Sequence, residues 1–199
     1  ILSRGRSQVR DIPGERQNHA FREAVTGVED LNGWRGCFLD DVMAFDSLYF
    51  NISPLEASAM DPQQRLFLET ATEALHDAGY TPAGLGHRVG VYVGAMASDY
   101  NVFSSQAALE GESALPNSAL YQIANRVSYV HDFHGPSITV DTACSSSGVA
   151  LHMACRDVRS GEVDAAIAGG VNLLLHPARF IQYTRMSMLS PTGVPAFWS

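Results

Sequence analysis

From Asp61 onward the chain alternates runs of helical spacing with short runs of strand character, and this alternation limits the possible folds more than any other feature. "DPQQRLFLETATEALHDAG" reads as a helix: Asp61 can cap the first free amides, Pro62 suits the first helical position, and Gly79 stops it. The 3.6-residue spacing puts Leu66, Phe67, Ala71, Ala74, Leu75 and Ala78 on one apolar face. "RVGVYVG" follows as a short buried strand, and "SALYQIANRVSYV" as a second amphipathic helix with Ser118 as its expected cap. "SITVD" is a strand, a helix then runs from about Cys144 to about Ser160 and ends at Gly161, and "DAAIAGGV" is a strand apolar on both faces. Such alternation predicts an α/β sheet with helices on both sides and short loops. Residues 1 to about 55 are less regular, and pattern alone places no motif there.

Composition removes several classes of function. The chain has 199 residues, 46% hydrophobic and 17% charged, enough for one sizeable core. Its formal net charge of -8 argues against a nucleic-acid surface, which needs a basic stripe. All thirteen basic residues are arginine. Without lysine, neither Schiff-base catalysis nor a Walker-type phosphate loop can be built from this stretch. Five of those arginines (Arg4, Arg6, Arg10, Arg16 and Arg22) fall in the first twenty-two positions and read as a solvated lead-in segment. The apolar runs are far shorter than the roughly 20 residues of a membrane span, and no leader pattern opens the chain. Ile1 at the start and "PTGVPAFWS" at the end suggest a piece of a longer chain. Cys37, Cys144 and Cys155 are odd in number and widely spaced, so they form neither a metal-ligand pattern nor a disulfide framework. A reducing cytoplasm is the expected compartment, and no metal site is expected.

The cysteine that matters lies in "VDTACSSSGVALHMA". Cys144 falls where a strand gives way to a helix, a place where unpaired amides and the helix dipole favour an anionic sulfur and so a stronger nucleophile. A tight strand-to-helix turn needs small neighbours, which Ala143, Ser145, Ser146 and Gly148 supply; this is the logic of the nucleophile elbow with cysteine in place of serine. Local amides are candidates for part of an oxyanion hole. Local pattern leaves a second reading open, in which Cys144 is a small buried residue at a helix cap. Cys155 and Cys37 are expected to be filler. Ser146 as a hydrolase nucleophile is disfavoured, because the first glycine of G-x-S-x-G is missing and Ser146 would sit inside the helix. His152 lies two turns along the helix, about 12 Å from Cys144 at ~1.5 Å per residue, too far to act as its base. His19, His76, His87, His131, His134 and His176 are expected to be surface or structural residues, so no base for the cysteine is identifiable.

At this point the residues resemble a known family. "GPSITVDTACSSS" is similar to the active-site signature of β-ketoacyl synthases, condensing enzymes of the thiolase-like fold. "GCFLDDVMAFDSLYFNISPLEASAMDPQQRLFLETATEALHDAG" resembles the stretch upstream of that cysteine in multidomain polyketide synthases. "GVYVGAMASDY", "IANRVSYV", "AAIAGGVNLLLHP" and "MLSPTG" are further family landmarks in the family's order.

The resemblance implies an α/β thiolase-like fold, with residues 1–199 as the N-terminal half of a ketosynthase domain. In the paired α/β/α/β/α layering it would lack the first strand and the C-terminal half. It implies catalysis by Cys144, which takes an acyl chain from the phosphopantetheine arm of an acyl carrier protein. Decarboxylative Claisen condensation with a malonyl-type extender follows, assisted by two histidines beyond "MLSPTG". No cofactor is bound directly. The implied partners are acyl carrier protein, neighbouring synthase domains and a second copy, with the strand around Ser137 to Asp141 near the two-fold axis; nucleic acid and membrane are not among them. A non-condensing domain that only binds or passes on acyl chains is the alternative. Gly148, where the family usually has leucine or a similar residue, and the closing "VPAFWS" depart from the pattern; a mid-helix glycine costs about 1 kcal/mol relative to alanine. Alone, the 199 residues are expected neither to condense substrates nor to fold well, because half of a layered architecture leaves apolar faces bare.

Overall fold

Valines alternate along Val89, Val91 and Val93, and a strand sends alternate side chains to opposite faces. The strand they form, Val89–Gly94, is buried along its whole length because it is central to a three-stranded parallel sheet. The computed structural model describes residues 8–17, 25, 34–111 and 118–190. Within them the chain forms two compact units, one from 1–42 and 174–199, the other from 43–173.

The first unit holds strands β1 (Val9–Asp11) and β2 (Arg35–Cys37), paired antiparallel, and helix α7 (Ala178–Arg185). Its small core stacks Trp34 on Phe180 at 5.1 Å between ring centroids, and the Trp34 indole N–H donates to Thr184 Oγ1 at 3.1 Å. Arg16 donates to the carbonyls of Leu39 and Leu174.

The second unit runs through α1 (Pro54–Ala59), α2 (Pro62–Asp77), the single turn α3 (Pro82–Leu85), β3 (Val89–Gly94) and α4 (Tyr100–Leu109). It continues through α5 (Tyr121–His131), β4 (Ser137–Val140), α6 (Ser146–Ser160) and β5 (Ala165–Gly170). Strand order is β4-β3-β5, all parallel, with Tyr92 opposite Ile138 and Ala168. The three valines of β3 pack with Phe67, Leu68, Ala71 and Leu75 of α2 and with Ile123, Ala124 and Val127 of α5. On the other face Tyr92 packs with Ala150 and Ala154 of α6. Helices therefore cover both sides of the sheet, as the alternation predicted. Among the described residues no helix is long and apolar enough to cross a membrane.

Details depart from the sequence reading. In α2, Asp61 caps and Pro62 leads as expected, Oδ1 accepting from Gln63 N at 2.8 Å, and Gly79 at φ +80° follows the helix end. Its buried face is rotated from the expected one: Gln64, Phe67, Leu68, Ala71, Thr72 and Leu75 are buried, while Ala74 and Ala78 are exposed. Two elements, α5 and the sheet, share this surface, and small alanines on the outer side cost little. Ser118 does not cap α5, which starts at Tyr121 behind Leu120; the Ser118 hydroxyl instead bonds Asn101 Oδ1. β5 is an edge strand of the described sheet and only partly buried, rather than covered on both faces. The expectations for Arg4, Arg6, Arg22, His19 and the closing "VPAFWS" lie outside the described residues.

Candidate active site

Three parallel strands end together, and the loops beyond their C-terminal ends form the neighbourhood of Cys144. β4 stops at Val140, and α6 starts at Ser146 with Ser145 as N-cap, two residues later than expected. Cys144 therefore precedes the helix in a five-residue turn, and it is exposed. Asp141 Oδ1 accepts from Ala143 N at 3.0 Å, and Ser145 N donates back to the Thr142 carbonyl at 3.3 Å. Ala143 sits at φ +54°, in the left-handed region that a side chain normally avoids at a cost of about 1–2 kcal/mol. Strain of this kind at a turn points to a position fixed for function.

The turn is pinned by serine hydroxyls. Ser146 is buried; its Oγ accepts from Thr142 N at 2.9 Å and donates to the Ala143 carbonyl at 2.6 Å. Ser145 Oγ lies 2.8 Å from the Thr142 carbonyl and 2.9 Å from Thr142 Oγ1. With its lone proton and an acceptor position both used inside the turn, Ser146 is a structural pin, which agrees with its rejection as a nucleophile.

Sequence reasoning missed the floor beneath this turn. Gly94 and Gly170, paired across β3 and β5, lie directly under the first turn of α6. A Cβ on Gly94 would run into the Ser147 backbone nitrogen, and one on Gly170 into the Ser147 side chain. The signal was present: glycine at the C-terminal end of an apolar strand marks a close approach of another backbone. The start of α2 was also read too narrowly. Gln63, fully buried, donates from Nε2 to Ala97 O at 2.9 Å and accepts from Leu173 N at 3.1 Å. Asp61 Oδ2 takes the Ser98 hydroxyl. The "DPQQ" segment thus ties together the loops that leave β3 and β5 at the same end of the sheet as Cys144.

The other candidates do not join the cysteine. Cys37 and Cys155 are exposed, so none of the three cysteines is the buried filler that its pattern allowed. His152 is an exposed residue of α6, and no described histidine bonds the Cys144 thiol. His76 and His131 belong to α2 and α5, whose packing gives His131 a hydrogen bond to Thr72 at 2.9 Å. His176 Nδ1 accepts from Ala178 N at 3.2 Å. A cleft of about 600 Å³ lies elsewhere, lined by Phe50, Ile52, Glu56, Tyr121, Arg126 and Tyr129 among others; Cys144 is not among its lining residues.

Residues 1–197 match the family described as "Beta-ketoacyl synthase, N-terminal domain". The chain belongs to this family. It is 45% identical over 203 residues to polyketide synthase PksL of Bacillus subtilis, a match covering 96% of the chain and 4% of that relative. It is 45% identical over 197 residues to the mycocerosic acid synthase-like polyketide synthase of Mycolicibacterium smegmatis, covering 96% of the chain and 9% of that protein. The solved oxazolomycin ketosynthase domain OzmH KS7 of Streptomyces albus superposes with a TM-score of 0.85 at 40% identity, over 96% of the chain and 34% of that structure. The ketosynthase from module 6 of the bacillaene synthase of Bacillus subtilis gives 0.82 at 37% identity, over 96% of the chain and 31% of that structure. The thiolase-like α/β fold implied by the sequence resemblance is borne out by these ketosynthase neighbours. The chain spans a small part of the relatives it matches, and about a third of the solved domains.

Proposed function

We propose that the chain is the acyl-accepting half of a ketosynthase domain of a polyketide synthase, with Cys144 as its nucleophile. One observation carries this reading: an exposed thiol at the C-terminal end of β4, on a turn fixed by a left-handed Ala143 and the buried Ser146, just ahead of the N-terminus of α6. In the proposed first step the Cys144 thiolate attacks the thioester of an acyl chain carried on the phosphopantetheine of an acyl carrier protein. The acyl–sulfur bond to the carrier breaks, the carrier thiolate leaves, and an acyl-cysteine forms. A malonyl-type extender on a carrier then loses carbon dioxide. The resulting carbanion attacks the acyl-cysteine carbonyl, and expulsion of the cysteine sulfur gives a β-ketoacyl product. The positive end of the α6 dipole favours the anionic sulfur and the oxyanion of either step. No cofactor is bound directly in this scheme.

The outer side of α6 supports the proposed reading of residues 1–199 as the N-terminal half of the domain. Leu151, Cys155 and Val158 lie on one outer side of the helix, and Leu151 and Val158 are 56% and 42% exposed. A second half packed in layers would cover them. The β4 edge supports the proposed pairing with a second copy near a two-fold axis, and three free thiols suit a reducing cytoplasm.

The experiment is acylation of a ketosynthase domain containing this chain with an acyl thioester, followed by peptide mapping. Labelling is expected at Cys144 alone and absent from Cys144→Ala; labelling that persists in that variant overturns the reading. Adding a malonyl carrier separates condensation from mere acyl transfer, because only a condensing domain releases carbon dioxide and product.

A further inference from the structure

At the opposite end of the same sheet, three side chains that the sequence does not group come together. His87 lies two residues before β3, Asp132 closes α5, and His134 lies in the turn entering β4. His87 Nδ1 is 3.2 Å from Asp132 Oδ2, and His134 Nε2 is 3.0 Å from Asp132 Oδ1. The two imidazoles stack at 4.7 Å between centroids and 18° between planes. One ligand atom from each of the three residues lies within 4.8 Å of the others.

The geometry points to a surface site for a divalent transition ion of the zinc class, held by His87 Nδ1, His134 Nε2 and the Asp132 carboxylate. Donors bound about 2.0–2.2 Å from one ion stand about 3.0–3.5 Å apart when adjacent, which is the spacing of each imidazole nitrogen from the carboxylate. Two imidazoles and one carboxylate favour zinc, cobalt or nickel over magnesium or calcium, which prefer all-oxygen sites. All three residues are exposed, so water can fill the remaining positions. Coordination requires the lone pairs of His87 Nδ1 and His134 Nε2. His87 Nδ1 lies 2.9 Å from the Asp132 carbonyl and donates to it, so an ion must displace that hydrogen bond and move the ring proton to Nε2, while His134 keeps its proton on Nδ1.

Besides the His87 imidazole's bond to the Asp132 carbonyl, the backbone beneath is held by bonds between main-chain groups. His134 N donates to the His87 carbonyl at 2.7 Å, and so does Val89 N at 2.9 Å. Gly135 N donates to the Val89 carbonyl at 3.1 Å. Asp132 takes the left-handed C-cap position of α5 at φ +57°. The three Cα positions are therefore set before any ion arrives, which limits the ordering cost of binding. The neighbouring cation Arg88 is engaged elsewhere, with the Gly161 and Glu162 carbonyls and Asp164. An ion here would tie the entry of β3 to the α5–β4 turn, far along the sheet from Cys144. By binding only the folded chain it would raise stability.

The test is calorimetric titration of a purified domain containing this chain with zinc alone, beside His87→Ala, His134→Ala and Cys144→Ser. These histidine side chains are exposed, and the backbone bonds that use their positions survive the substitutions. One equivalent is expected to bind the parent and Cys144→Ser equally. Affinity should fall at least about tenfold in each histidine variant, since losing even an outer-shell partner costs about 10–100-fold. Thermal midpoints should rise with zinc in the parent but not in the histidine variants. Equal binding in parent and histidine variants, or loss of binding in Cys144→Ser, overturns the site. The former result leaves the two imidazoles as simple hydrogen-bond partners of Asp132, and the latter moves the metal to the thiol.

Discussion

The two faces of the β4-β3-β5 sheet are built differently. On one, Val89, Val91 and Val93 meet α2 and α5 through large, fully buried apolar side chains such as Leu68, Ile123 and Val127. On the other, α6 approaches through small residues, Ala150 and Ala154 against Tyr92, with its first turn over Gly94 and Gly170. That second face also buries polar groups. Tyr92 donates its hydroxyl to Asp157 Oδ2 at 2.7 Å, and Arg156 Nε donates to Asp157 Oδ1 at 2.8 Å. Burial first, and then the hydrogen bond and charge of Asp157, push the Tyr92 hydroxyl pKa far above its usual value. The Arg156 and Tyr92 hydrogen bonds hold the Asp157 carboxyl below its own. The first face supplies apolar area. The second trades area for close approach, and so fixes where the turn bearing Cys144 stands.

Substitutions on each face should separate these roles. Leu68→Ala, at a fully buried position, should cost about 2–5 kcal/mol in denaturant unfolding of a domain containing the chain. The folded fraction should still acylate Cys144 at the parental rate; a slowed rate would mean that the two faces are not separable. Gly94→Ala forces a methyl against the Ser147 backbone and should cost about 1–3 kcal/mol. Unlike Leu68→Ala it should also slow Cys144 acylation well below the unfolding transition, and unchanged acylation would break the claim that the glycine floor positions the turn. Tyr92→Phe keeps the ring and removes one donor to Asp157, which retains Arg156. Its thermal midpoint should drop by less than that of Leu68→Ala, with acylation unchanged.

The smallest effect belongs to His131, on the α2–α5 side. Thr72 Oγ1 lies 2.8 Å from the Leu68 carbonyl, to which it gives its hydroxyl proton, so it accepts from His131 Nε2. Burial, and then the charge of His76, hold the His131 pKa below its ordinary 6.5. As pH falls from 6.5 toward the lower folded value, the unfolded chain takes up this proton first, so stability declines over that window. His131→Gln should flatten the decline in a pH series of thermal midpoints. An unchanged slope would assign the effect to other groups.

Much of the fold was legible because periodicity and punctuation are local. Asp61 and Pro62 start α2, glycines at φ +80° and +76° follow the ends of α2 and α6, and a run of valines makes β3. The rotated face of α2 was not legible, since which side meets a neighbour depends on where α5 and the sheet lie. Cys144 could be singled out because its small neighbours adjoin it in sequence. Its exposure, and the start of α6 at Ser146, came from the turn that Asp141, Ala143 and Ser146 build together.

The sequence by itself determined the α/β class, the strand-to-helix placement of Cys144 and the family, because each rests on residues close together in the chain. Only the tertiary structure put Gly94 and Gly170 beneath α6, Gln63 between the loops after β3 and β5, and His87 beside Asp132 and His134. Those partners are separated by tens of residues and meet only because parallel strands bring all their starts to one end of the sheet and all their ends to the other.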